Sequence, residues 1–299
     1  MKAKRFLSSL LTVAVVLSSL SLNVFADSNS DEGINGFIKR MYDVCLDRTP
    51  DSNGLNYWAR LLKDKEATGC SVASGFVYSP EFQNKKCTNE QYVSYMYNAF
   101  FGREAEKEGM EYWVTEIDNG MTRDAVFSGF TNSKEFGDLC DSYGVIRGCY
   151  VEGFDIDKTV KVNLFVERLY NVVLDRHCDN DGMTYWTLKL VNREDTGAGV
   201  ASGFVFSPEF INKNYCDMHY VEMLYASFMG REPEEGGIEY WCSVLSEGDT
   251  RENVFNGFAC SKEFNDICIS YGIESGFISV SGGGTHANGK CVMCEANNS

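Results

Sequence analysis

All four tryptophans of the chain, Trp58, Trp113, Trp186 and Trp241, stand 21 residues after an aromatic that opens a recurring phrase. The opening residues are Phe37, Tyr92, Phe165 and Tyr220, and the copies close at Phe82, Phe136, Phe210 and Phe264. The closing words are "GFVYSPEF", "GFTNSKEF", "GFVFSPEF" and "GFACSKEF". Copies one and three are the most alike, as are two and four, so an A–B pair has been duplicated with an offset of 128. The run-outs repeat too: "LCDSYGVIRG" answers "ICISYGIESG". A repeat of this kind constrains the fold more than any single motif, because each unit buries its apolar face against its neighbours.

Within a copy the apolar spacing is helical. Phe37, Met41, Tyr42 and Cys45 form one stripe, and Leu55, Trp58, Ala59 and Leu62 fall at i, i+3, i+4 and i+7. Met110, Trp113, Val114 and Ile117 repeat that spacing, as do Ile238, Trp241, Cys242 and Leu245. Ser79-Pro80-Glu81 reads as N-cap, proline in the first turn and an acid beside the positive helix end. No strand pattern precedes the tail.

The middle of each copy has the form R-x-x-[DE]-x-x-G-φ-x-Y-W, φ being apolar. Its members are Arg48, Asp51, Gly54 and Trp58; Arg103, Glu106, Gly109 and Trp113; Arg176, Asp179, Gly182 and Trp186; Arg231, Glu234, Gly237 and Trp241. Four sites of equal chemistry point to architecture rather than to four active sites. The acid is expected to accept orphan N–H groups at a helix start. The Arg is expected to end the preceding helix and pair with that acid. The Gly should allow close packing, and Tyr-Trp should anchor the second helix in the core. Glu81, Glu135, Glu209 and Glu263 read as first-turn acids.

Together, "LDRxxDxxGxxYW … ASGFVxSPEF" and "FGRExxxxGxxYW … GFxxSKEF" resemble the repeats called domain of unknown function 4214. The likeness covers about residues 37–148 and 165–276. It implies all-helical modules on secreted or surface bacterial proteins, with no catalytic residues to carry over. A fainter similarity, through the R…D…G…YW pattern, is to the helical linker domains that organise phycobilisomes, and it implies a scaffold role.

Residues 1–26 read as a secretory signal peptide: Lys2, Lys4 and Arg5, an apolar run, then Val24 and Ala26 before Asp27. An uncleaved membrane anchor is the alternative, for which the run is short. Loss of those three cations leaves 24 basic against 43 acidic residues, taking the net charge from −16 to −19. Such a surface repels nucleic acid and anionic lipid.

Twelve cysteines in an exported chain predict disulfides. Equivalence between the halves suggests Cys87–Cys140 and Cys216–Cys268, leaving Cys45–Cys70, Cys149–Cys178 and Cys242–Cys260 as nearest-neighbour pairs, with Cys291 and Cys294 of the Gly-rich tail bonded to each other or to another chain. His177-Cys178 is a poor nucleophile–base pair, since such partners come from separate segments. "DNDG" at Asp179–Gly182 resembles the front of a calcium loop, but the position-six glycine and distal Glu are missing. Cys291-x-x-Cys294 with His286 falls one ligand short of a structural zinc site. No catalytic, cofactor-binding or metal residue is therefore assigned.

The expected protein is all-α and disulfide-stabilised, with four tandem copies in two similar lobes. Its parts are the signal (residues 1–26), two repeat pairs (33–148 and 161–276) and the tail (277–299). The expected role is a secreted, non-enzymatic binding or scaffold module for an extracellular glycan or protein. No cofactor, nucleic acid or membrane span is expected. A secreted glycan hydrolase is the alternative class, and it needs a carboxylate pair in a cleft that one copy holds and its sister lacks. A self-assembling surface-layer component is a third.

Overall fold

The structure, a computed structural model, describes residues 27–276. The expected leader and the tail, with Cys291, Cys294 and His286, lie outside those residues. Every regular element among the described residues is helical. In the first lobe these are α1 (Asp27–Leu46), α2 (Ser52–Lys63), α3 (Gly69–Val77) and α4 (Pro80–Gln83) for copy A. Copy B supplies α5 (Asn89–Met96), α6 (Lys107–Asp118), α7 (Arg123–Thr131) and α8 (Lys134–Ser142). The second lobe repeats the order: α9 (Ile156–Leu174), α10 (Asn180–Val191), α11 (Gly197–Val205), α12 (Pro208–Ile211), α13 (Asp217–Leu224), α14 (Gly237–Ser246), α15 (Arg251–Ala259) and α16 (Lys262–Ser270).

Sequence chemistry sets the helix starts. Thr68, Thr122, Thr196 and Thr250 each accept a backbone N–H from the first turn of α3, α7, α11 and α15. Ser79, Ser133, Ser207 and Ser261 do the same for α4, α8, α12 and α16. Each such cap contributes about 1 kcal/mol by satisfying a donor that the helix cannot.

Copies A and B differ in how the opening helix ends. In copy A it stops at an aspartate with positive φ, Asp47 or Asp175. In copy B, α5 and α13 run on into π-helical turns, Tyr97–Phe101 and Tyr225–Met229, and stop at Gly102 and Gly230 with φ of 71° and 65°. A π turn displaces carbonyls from the ordinary ladder. Arg40 of α1 donates to the carbonyls of Asn98 and Ala99, and Arg168 of α9 donates to those of Ala226 and Ser227. One arginine per lobe thus ties the opening helix of copy A to that of copy B.

Each lobe closes on itself through its run-out. The carbonyls of Ile146 and Arg147 accept from Gly69 and Cys70 at the start of α3, at 2.8 Å each. Those of Glu274 and Ser275 accept from Gly197 and Ala198 at 2.7 Å. Two apolar cores result, one from Ile34 to Tyr150 and one from Cys149 to Ile273. All four opening aromatics are fully buried.

The expected disulfide stabilisation is not found. No disulfide forms among the described residues, so none of the five pairings across Cys45, Cys70, Cys87, Cys140, Cys149, Cys178, Cys216, Cys242, Cys260 and Cys268 is made. Several of these sulfurs have other partners: Cys70 Sγ donates to Thr131 O at 3.4 Å, Cys178 Sγ to Asp179 O at 3.3 Å, and Cys216 Sγ lies 3.2 Å from His219 Nδ1. Spacing along the chain does not report which sulfurs the helices bring together, and large aromatic cores hold both lobes.

Candidate functional site

The repeated motif folds into one aromatic and ionic stack, built four times. The tyrosine five residues after the opening aromatic (Tyr42, Tyr97, Tyr170, Tyr225) lays its hydroxyl on the motif glycine. A Cβ at Gly54, Gly109, Gly182 or Gly237 would collide with that oxygen. The motif arginine rides on the same ring, its guanidinium carbon 4.8, 5.1, 4.7 and 5.3 Å from the four centroids. That arginine then makes a two-pronged ion pair with the glutamate of the closing word: Arg48–Glu81, Arg103–Glu135, Arg176–Glu209 and Arg231–Glu263. The partners lie 32 or 33 residues apart, so a first-turn acid also clamps helix end to helix start. Both groups are partly exposed, so each clamp fixes geometry more than it adds stability.

The motif acids divide by length. Asp51 and Asp179 cap α2 and α10, accepting from Gly54 and Gly182 at 2.9 and 2.8 Å, and the Gly54 N–H holds the Asp51 carboxyl below its ordinary range. Glu106 and Glu234 make no cap bond, contrary to the sequence expectation. Their carboxylates pair instead with Arg103 and Arg231, at 2.6 and 2.5 Å, while Asp179 combines its cap with a 3.2 Å pair to Arg176. Copy four starts α14 from Gly236, at φ 79°.

Trp and Tyr of the motif also divide. Each Trp is half-buried and packs against the Phe of the third helix, at 5.6, 5.1, 5.3 and 5.2 Å for Phe76, Phe130, Phe204 and Phe258. A Cβ on the preceding glycine would sit 2.6, 2.8, 2.8 and 2.6 Å from the indole at Gly75, Gly129, Gly203 and Gly257. The adjacent tyrosines do not anchor the core, as the sequence reading had them. Tyr57, Tyr112, Tyr185 and Tyr240 are 54%, 54%, 54% and 60% exposed. Each stands edge-on to its Trp at 5.1, 5.1, 4.8 and 5.1 Å, with interplanar angles of 71°, 70°, 74° and 72°. Four like rings therefore face solvent in one repeated orientation relative to the helix.

Models of the family described as "Domain of unknown function (DUF4214)" match residues 24–85, 73–140, 155–214 and 201–268. The chain belongs to this family. The matched segments tile both lobes, and the stack just described is what their recurring DUF4214 residues build. No curated protein matches the chain.

A further feature lies at the junction of the lobes. A cleft of about 1030 Å³ opens between the lobes, where Asp141, Tyr143 and Arg147 face Glu167, His177 and Cys178. Arg147 is 4% exposed and donates across the junction to Asn180 O and Thr184 Oγ1, at 2.8 and 3.1 Å. Glu167, also 4% exposed, accepts from Asn171 and from the Cys178 N–H, and its Oε1 lies 2.7 Å from His177 Nδ1. The hydrogen bond to Glu167 pushes the imidazole pKa up. Burial, with Glu167 and Asp179 beside it, pushes the Cys178 thiol well above its ordinary range, which works against thiolate formation. At the 128 offset the first-lobe counterparts of Glu167, His177, Cys178 and Asn180 are Lys39, Thr49, Pro50 and Ser52. The counterparts of Asp141 and Arg147 are Ile269 and Ser275. Comparison of the halves was the signal that could have located this cluster in the sequence.

Proposed function

We propose that the chain is an exported, non-enzymatic binding module whose contact groups are Tyr57, Tyr112, Tyr185 and Tyr240. The observation that carries the reading is their matched exposure and ring geometry in all four copies. A tyrosine braced by a packed Trp offers contact area with little conformational entropy left to lose on binding. Four such groups on one chain convert weak single contacts into avidity.

The hydrolase alternative gains one point: Asp141 and Glu167 are cleft carboxylates that the sister positions lack. Both Glu167 oxygens are already engaged, with His177, Asn171 and the Cys178 N–H. A carboxylate so committed is a poor nucleophile or proton donor for glycoside hydrolysis. The cleft residues fit a lobe-joining role better.

The test is affinity capture. The intact chain and a variant carrying Tyr57→Ser, Tyr112→Ser, Tyr185→Ser and Tyr240→Ser are immobilised and exposed to extracellular fluid and cell-wall fragments. Retention by the intact chain alone supports the reading. Equal retention by both contradicts it, and shortening of glycan fragments during incubation would instead support hydrolysis.

A further inference from the structure

Resting on that reading, we infer that the partner is a polysaccharide without anionic groups, whose sugar rings stack on the four exposed tyrosines. Three observations select this class. The first is the size and setting of each platform. Polar residues stand one helical turn from each ring: Arg60 for Tyr57, Glu108 for Tyr112, Asp181 and Lys189 for Tyr185, and Ser243 for Tyr240, with Lys189 Nζ 5.7 Å from the Tyr185 centroid. A protein interface needs a contiguous, desolvated centre of several large side chains. A single pyranose needs one flat aromatic face for its C–H groups and polar atoms beside it for its hydroxyls, which is what each platform offers.

The second observation is repetition. The four rings share one geometry against their Trp neighbours. A ligand that presents the same unit many times can engage all of them, whereas a folded protein partner presents each epitope once. Linked weak contacts to such a polymer multiply through effective concentration.

The third is charge. The chain carries 43 acidic residues against 27 basic ones, net −16. Such a field repels polyanions and leaves neutral or amine-bearing polymers as the compatible ones. The carboxylates of Glu108 and Asp181, one helical turn from Tyr112 and Tyr185, add acceptors for hydroxyl or ammonium donors.

The experiment uses the full chain and three insoluble or bead-coupled probes: cellulose, chitin and polygalacturonate. Depletion from cellulose and chitin is measured at about 0.5 M salt, where exposed charge attraction is largely screened and stacking is not, and the three probes are compared at about 0.01 M salt, where the repulsion of a polyanion is long-ranged. The quadruple Tyr→Ser variant runs alongside, with circular dichroism melting to show that it folds. Retention on cellulose or chitin, weakened about 3–10-fold by each single substitution and at least about 100-fold by the quadruple, is the expected result. Equal retention on polygalacturonate would overturn the charge argument, and unchanged retention of the quadruple variant on chitin or cellulose would overturn the stacking. If no polysaccharide is retained but the quadruple variant loses a captured protein, the ligand class is wrong and the tyrosine reading stands. If capture of every kind survives the quadruple substitution, the tyrosine reading itself fails.

Discussion

The turn at residues 47–52 and its counterpart at 175–180 share a backbone but not a task. Both leave a long helix through an aspartate with positive φ, both place an arginine on a tyrosine ring, and both cap the next helix with an aspartate. The first carries Thr49, Pro50 and Ser52. The second carries His177, Cys178 and Asn180 and lies against the run-out of the other lobe, where Arg147 donates to Asn180 O. The difference teaches that the shared residues make the lobe and the departures make the junction. In a duplicated chain each half is the other's control, so the role of a residue can be read from whether its sister keeps it.

The largest predicted effect breaks the junction and spares the lobes. Arg147→Ala removes the charged donor to Asn180 O and Thr184 Oγ1 across the junction, costing about 2–3 kcal/mol in urea unfolding. Ser275→Ala, at the sister position, should change stability by less than about 0.5 kcal/mol. Equal effects would mean that the run-out, not the junction, is what Arg147 supports.

Next comes the packing that both lobes share. Gly129→Leu and Gly257→Leu drive a side chain into Trp113 and Trp241, and each should cost about 1–3 kcal/mol. The two losses should match within the scatter of such measurements. A silent substitution in one lobe would show that its Trp is not seated as described.

The acids of copies A and B give a smaller contrast. Asp51→Ala removes a cap and should lower Tm by about 2–4 °C. Glu106→Ala, which removes only an exposed ion pair, should move Tm by less than about 1 °C. Calorimetry of the two variants settles the order.

The smallest effect is the pH dependence peculiar to the second turn. His177 has a folded pKa raised above its ordinary value by Glu167. Its contribution is therefore complete below the ordinary histidine pKa and is lost as pH rises through the folded value. The ring is 81% exposed, so solvent screening keeps that contribution below about 1 kcal/mol. Stability of the intact chain minus that of His177→Thr should fall across this window, and a flat difference would contradict the pairing.

Much of the fold was legible in the sequence because repetition amplifies local signals. The helical stripes, the Ser and Thr caps and the duplication offset all follow from residue type and spacing within one copy. What stayed hidden is tertiary. The Arg48–Glu81 clamp spans 33 residues, and nothing local links those two ends. Arg40 and Arg168 matter because a π turn needs acceptors satisfied, and the π turn itself has no simple sequence signature. Tyr57 and its sisters were assigned to the core from adjacency to Trp, but neighbours one residue apart on a helix point about 100° apart, and only the Trp reaches the third helix. No disulfide is formed among the described residues, and for the nearest-neighbour pairings distance along the chain does not report distance in space.

The most direct test of the account compares the two lobes in binding. Once a retained ligand is in hand, its affinity is measured for Tyr57→Ser with Tyr112→Ser and, separately, for Tyr185→Ser with Tyr240→Ser. Four equivalent platforms predict that the two double variants lose affinity alike and that neither abolishes it. Loss confined to one lobe, or no loss in either, would contradict the claim that the repeated tyrosines are the binding groups.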